Sequence, residues 1–401
     1  MSDKAIYEVI NELALRDIIW EKSCDLNTIA QNYAVVKQLQ SSSWFALFPL
    51  GVERKYINLL DRIFFEDDKL EYIISQFSFD KILLKFMLEE VFFKKCDITF
   101  DKWNIFIDNL KNSTLIKYEV FYPWPNWMIF CRPPYQIGPV TFYDKKALIQ
   151  ENKQIKDAFA NKEFVQDFKN VNQIIGIICD TVDDESNTAN CIAENLYFRI
   201  KNLFYSLLPA VRQSPMPTRH ASSINNIVLT NKRSCITPTP PHIDPFCQIT
   251  CIEMVPLMIF TICKNIKEMN VFEKRFLTAI TLIGRGRSSN EKFENFLLCS
   301  SGIEAIVKSG KTNLTEQFKK HSAILIADSK EDQSYISEEM GLLYDVRSDI
   351  AHGKKLNITD DNLYKLHIRS LQLVISYFYA FQKMTRIEEF HQYIVDNNRM
   401  N

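Results

Sequence analysis

From Phe246 to its end the chain repeats one instruction. Apolar residues recur at three- and four-residue steps between start and stop signals, a pattern that buries a face only as helix. Helices are predicted near 247–265, 268–284, 289–308, 314–328, 332–352 and 360–395. Ser288-x-x-Glu291 and Asn313-x-x-Glu316 read as capping boxes, and Thr359 reads as the start of the last helix. In that last stretch Leu363, Leu366, Ser370, Leu373, Tyr377 and Phe381 share a face. A compact helical bundle over 246–401 is the expected product.

The earlier part is more mixed. Only 9 glycines stand against 29 phenylalanines in 401 residues, so tight turns are scarce and residues 1–112 read mostly as helix, including 3–20 and 69–95. Over 113–145 aromatic and β-branched residues between prolines predict short strands at 115–122, 127–131 and 140–143, a small sheet packed on helices. Helices are expected to resume over 145–208, around an acidic loop at 180–190. The Pro/Ser/Thr-rich passage 216–245 suits a connection. The fold class expected is therefore mainly α: an N-terminal α+β region over 1–215 with a small β-sheet, acting as sensor or regulator, then the bundle.

Charge limits the partners. With 48 Lys and Arg against 49 Asp and Glu the net charge is −1, so bulk attraction to nucleic acid is excluded and an RNA contact needs a local groove. Ten scattered cysteines, and a start lacking a basic and apolar leader, predict free thiols in the cytoplasm. The run 249–263 is interrupted by Glu253 and Pro256 and is too short for a bilayer, so no membrane partner is expected. Cys235, His242, Cys247 and Cys251 lack a Cys-x-x-Cys pair, and Asp180, Asp183, Asp184 and Glu185 read as a solvated loop. Neither a metal nor a cofactor is expected.

One helix stands out. Along 332–353, Ile336, Met340, Leu343 and Ile350 form a stripe whose missing step is Arg347. A guanidinium on a core-facing seam needs an anion, and Glu304 on a neighbouring helix is the candidate. His352 follows, then the helix-ending Gly353. On a regular helix five positions turn through about 500°, leaving the two side chains about 140° apart. They converge only if His352 lies past the regular helix. Arg386-x-x-x-x-His391 repeats the spacing without a glycine stop, which favours the first copy.

YDVRSDIAHGK, preceded by FENFLLCSSGIEAIVKSG, resembles the HEPN superfamily, most closely its ApeA-type branch, over 268–390. The resemblance implies a helical bundle with an Arg-x(4–6)-His signature at one helix end. It also implies metal-independent cleavage of RNA in a homodimer whose two signatures share a cleft, and a role in phage defence or a toxin system with a partner such as an antitoxin. Arg347 and His352 are then the catalytic pair, supported by Ser348, Asp349, Glu304 and Tyr344. The position after the arginine, often Asn, Asp or His in active members, is Ser348 here. Lys354, Lys355, Arg285 and Arg287 are candidates to hold phosphates. The chemistry suits the residues independently: histidine can move the 2′-OH or 5′-oxygen proton, and a guanidinium stabilises the phosphorane charge. The rival reading keeps the fold as a non-catalytic dimerisation or RNA-binding module, with Arg347 in a structural ion pair.

Overall fold

The structure, a computed structural model, describes residues 4–22, 35–39, 44–67, 69–124, 133–160, 168, 171–182, 187–208, 224–229, 234–239, 254–289, 291–310, 313–354 and 358–398. The protein is mainly helical, with antiparallel sheet in its N-terminal part. It divides into two compact units, neither bounded by the passage 216–245.

The first unit comprises residues 1–119 and 179–192. Helix α1 (Lys4–Glu12) runs into one wide turn, Leu13–Asp17, and stops at Ile18 in extended conformation. The single helix expected over 3–20 therefore ends early, because Ile18, Ile19 and Trp20 fit a pleated surface better. Strands β1 (Ile19–Lys22), β2 (Val35–Gln38) and β3 (Trp44–Phe48) form an antiparallel sheet in the order β1-β3-β2. These are too short for an alternating pattern to register in sequence. Helices α2 (Val52–Glu66), α3 (Gln76–Met87) and α4 (Phe100–Lys111) share one core with that sheet, including Phe48, Phe64, Phe79 and Met87. Buried Asp80 is held there by the Tyr56 hydroxyl at 2.6 Å and by the Lys37 ammonium.

The second unit comprises 120–178 and 193–401. Its sheet has the order β5-β6-β7-β4-β8-β9, from β4 (Ile116–Trp124), β5 (Tyr135–Ile137), β6 (Val140–Asp144), β7 (Gln173–Thr181), β8 (Ile224–Leu229) and β9 (Ser234–Thr239). The pairs β5–β6, β6–β7 and β8–β9 are antiparallel. Phe121 and Ile174 pack towards α5 (Lys145–Glu151) and α6 (Lys153–Ala160), while Tyr122 and Trp124 on the other face meet Tyr197 of α7 (Asn187–Ser206).

Two expectations change here. β7 lies where helix was expected, because with both faces covered its QIIGIICDT run shows no alternation to separate it from a buried helix. β8 and β9 occupy the passage read as a connection, with Pro238 on a terminal strand of the sheet where a missing N–H is tolerated. The strand expected at 127–131 lies outside the described residues.

The bundle follows as α8 (Met254–Cys263), α9 (Val271–Ser288), α10 (Lys292–Val307), a broken helical run from Leu314 ending in α11 (Ser322–Ile326), α12 (Lys330–Ala351), α13 (Asp360–Phe381) and α14 (Ile387–Asp396). α9 and α10 lie close because Gly302 has only hydrogen facing the Ala279 carbonyl, which a Cβ would meet at 3.0 Å. Gly284 lets α7 approach as closely, since a Cβ there would stand 2.3 Å from the Asn202 carbonyl oxygen. The α13 face expected from sequence is buried throughout, and Thr359 caps it in a box with Asn362.

The other two boxes are absent. Glu291 and not Ser288 precedes α10, and Asn313 takes a left-handed φ of 56° without capping through its side chain. A box that the sequence reading did not name, Asn270 with Glu273, opens α9. The helix expected over 360–395 breaks after Phe381, and Glu389 turns back to accept the Arg386 N–H at 3.1 Å.

Candidate functional site

α12 starts on Ser329, whose hydroxyl accepts the Asp332 N–H at 3.0 Å. It buries Ile336, Met340 and Leu343, as the stripe requires; Ile350 is only half-buried. Its end is a Schellman motif: Lys354 N–H bonds the Asp349 carbonyl and Gly353 N–H bonds the Ile350 carbonyl, each at 3.0 Å. Gly353 has a φ of +70°. His352, at φ −91° and ψ 10°, has left regular helical geometry and is exposed. No side-chain partner for it occurs among the described residues.

Arg347 meets Glu304 of α10. Nη2 donates to Oε2 at 3.1 Å, while Nε lies 2.9 Å from Oε1 with its N–H directed elsewhere, so one directed hydrogen bond and one ion contact hold the pair. The side chains keep 27% and 23% of their surface, so the pair is half-buried and open on one side. Tyr344 lies under the guanidinium, 5.8 Å from ring centroid to Cζ, and packs its ring on Phe318. Nη1 of Arg347 has no hydrogen-bond partner among the described residues. Glu304 and Tyr344 thus hold a cation in place without covering it.

The remaining predicted residues separate. Ser348 is half-buried beside Arg347 in the chain, and its carbonyl accepts the His352 N–H. Asp349, one of the candidate supporting residues, pairs with the Lys354 ammonium. Lys355 lies outside the described residues. Arg285 is exposed in the last turn of α9, whereas Arg287 turns inward and donates to the Leu208 carbonyl. The GRGR segment is helix and not a turn, so its two arginines point apart and only Arg285 remains on the surface. Arg386, of the duplicate spacing, precedes α14 with 76% of its side chain exposed. His391 lies on α14, 3.3 Å from the Ser309 carbonyl, so the second spacing starts a helix where the first ends one.

Sequence reasoning missed a polar seam inside the bundle. His367 Nε2 lies 2.8 Å from Asn295 Oδ1, with buried Cys299 3.5 Å from the same oxygen. Burial, and secondarily the Arg287 charge, push the His367 pKa well below that of free histidine, so the ring is neutral with its proton on Nε2. Burial likewise raises the Cys299 thiol to about 12. Because the unfolded chain binds a proton at His367 near pH 6.5 and the folded chain does not, stability is full above pH 6.5 and falls as the pH drops below it. His367→Gln should flatten that slope between about pH 5 and 6.5, measured as the thermal midpoint against pH. An unchanged slope would place the titrating group elsewhere.

Among the described residues no group of three or more His, Cys, Asp or Glu is placed to hold a metal ion, and no helix is long and apolar enough to cross a membrane. Compared with protein-family models, with curated proteins and with solved structures, the chain matches none of them.

Proposed function

We propose that this chain is a metal-independent endoribonuclease of HEPN type, cutting RNA at a site built from Arg347 and His352 and completed by the same pair from a second copy. The observation that carries the proposal is a guanidinium fixed by Glu304 and Tyr344 yet left open, five residues from an exposed histidine at the end of the same helix. Arginine in this state suits a dianionic phosphorane, because a charge already oriented needs no reorganisation as the transition state forms.

In the reaction, one histidine takes the 2′-OH proton and the 2′-oxygen attacks phosphorus. The 5′-oxygen leaves with a proton from the second histidine. The products are a 2′,3′-cyclic phosphate and a 5′-hydroxyl. A twofold pairing supplies the second histidine and guanidinium without further residues. α12 leaves Tyr335 58% and Leu342 63% exposed two turns apart on one face, which supports such a pairing. A role in phage defence or a toxin system, with an antitoxin as a candidate partner, belongs to the same proposal, as does a cytoplasmic location.

One observation favours the second reading, a non-catalytic RNA-binding or dimerisation module: Arg347 already has an anion. Incubating generic RNA in EDTA with wild type, Arg347→Ala, His352→Ala and His391→Ala separates the two. Cleavage lost only in the first two variants supports the nuclease. Equal behaviour of all four leaves the module.

A further inference from the structure

A second concentration of positive charge lies on the bundle and takes no part in that chemistry. Between the first turns of α9 and the end of α10 runs a groove of ≈ 520 Å³, lined by Val271, Lys274, Arg275, Thr278, Ala305 and Lys308. Positions 271, 274, 275 and 278 recur at helical spacing, so one face of α9 forms a wall. Ala305 keeps the opposite side shallow and Lys308, one residue past α10, stands at its edge.

Every charged residue in this lining is cationic. No carboxylate among the described residues pairs with Lys274, Arg275 or Lys308. Glu273, next along the helix, is already engaged by Lys264 at 3.3 Å and by the Asn270 N–H at 2.8 Å. Lys274 and Lys308 are exposed, whereas Arg275 is half-buried with its guanidinium against the buried Tyr377 hydroxyl. The Thr278 hydroxyl donates to the Lys274 carbonyl at 2.9 Å, so it can only accept from a ligand. Several other lysines of the bundle sit beside acids, as Lys292 does with Asp360 and Lys365 with Asp361. Three cations around one hollow, none of them paired with a carboxylate, are short of an anion.

We propose that this groove binds a phosphate group, with Lys274 and Lys308 as point charges on its two sides and the Arg275 guanidinium adding its charge from the α9 wall. The volume falls in the range of small-molecule sites, roughly 300–1,000 Å³, so the phosphate can belong to a mononucleotide-sized ligand or to an RNA backbone crossing the groove. The assignment is independent of whether Arg347 and His352 cut RNA.

The test uses the full chain at low salt and three probes: pyrophosphate, AMP, and a fully 2′-O-methylated RNA oligonucleotide with a 5′-hydroxyl, which cannot be cut by 2′-OH attack. Binding is followed by calorimetry and anisotropy. Lys274→Gln/Lys308→Gln should weaken binding by about tenfold or more, while Lys330→Gln, at an exposed lysine outside the groove, should change it by less than about twofold. Lys274 and Lys308 are exposed, so their double variant should keep the wild-type thermal midpoint and is the deciding one; Arg275→Gln is the supporting one. Pyrophosphate and AMP sensitive to the double variant assign the site to a terminal phosphate. Sensitivity of the oligonucleotide alone assigns it to the backbone. No binding of any probe, or binding that the double variant leaves unchanged, overturns the proposal.

Discussion

Arg347→Ala and His352→Ala are each expected to lower EDTA-resistant RNA cleavage by about 10²–10⁴-fold, the range of a lost general acid or base or of a lost transition-state charge. The two losses should not multiply in the double variant, since both groups act on one phosphorane. Their side effects differ and can be separated. His352 is exposed and has no side-chain partner among the described residues, so its removal should leave the thermal midpoint unchanged. Removing Arg347 leaves the half-buried Glu304 without its cation and should lower the midpoint as well. Glu304→Gln gives the intermediate case, in which the guanidinium stays but is less firmly held, and kcat should fall less than in Arg347→Ala. If Glu304→Gln lowers the midpoint while cleavage by Arg347→Ala equals wild type, the ion pair is structural and the nuclease proposal fails.

The second large effect is on stability. Arg369 Nε donates to Glu339 Oε1 at 2.7 Å between α13 and α12, with only 12% and 10% of the two side chains exposed. Arg369 also donates to Gln372 at 2.9 Å, and Tyr335 donates to the other Glu339 oxygen at 3.3 Å. Glu339→Ala strands a nearly buried guanidinium and should cost about 3–5 kcal/mol. Replacing both members, as Glu339→Leu with Arg369→Met, should recover most of that loss, because the desolvation of two charges disappears with them. Denaturant unfolding of the α-helical signal measures both. A single variant costing less than its double would show that the pair is not the source of the loss.

How much of this was legible follows from which faces touch water. α12 and α13 each have one dry face, so their stripes, the Thr359 cap and the Gly353 stop were readable, and Glu304 could be named as the anion for Arg347. β7 has two dry faces and therefore no stripe. The partners of Asp349 and Arg287 depend on which way a surface chain folds back, Lys354 in one case and the Leu208 carbonyl in the other, and no periodicity encodes that. Glu339 and Arg369 are thirty positions apart on two helices. Each reads alone as an ordinary charged residue, and only their packing makes them a pair. The break at 382–386 was hidden because no glycine or proline marks it, and the Glu389 carboxylate that does lies further along.

Gly353 closes α12 with a positive φ, yet a Cβ placed there would touch nothing within 4 Å. Handedness and not volume reserves the position: an L-alanine would be strained by about 1–2 kcal/mol, whereas its mirror image would sit at rest. A D-alanine introduced there by chemical ligation should therefore stabilise the fold, by narrowing the freedom of the unfolded chain, and hold the neighbouring imidazole in its present setting.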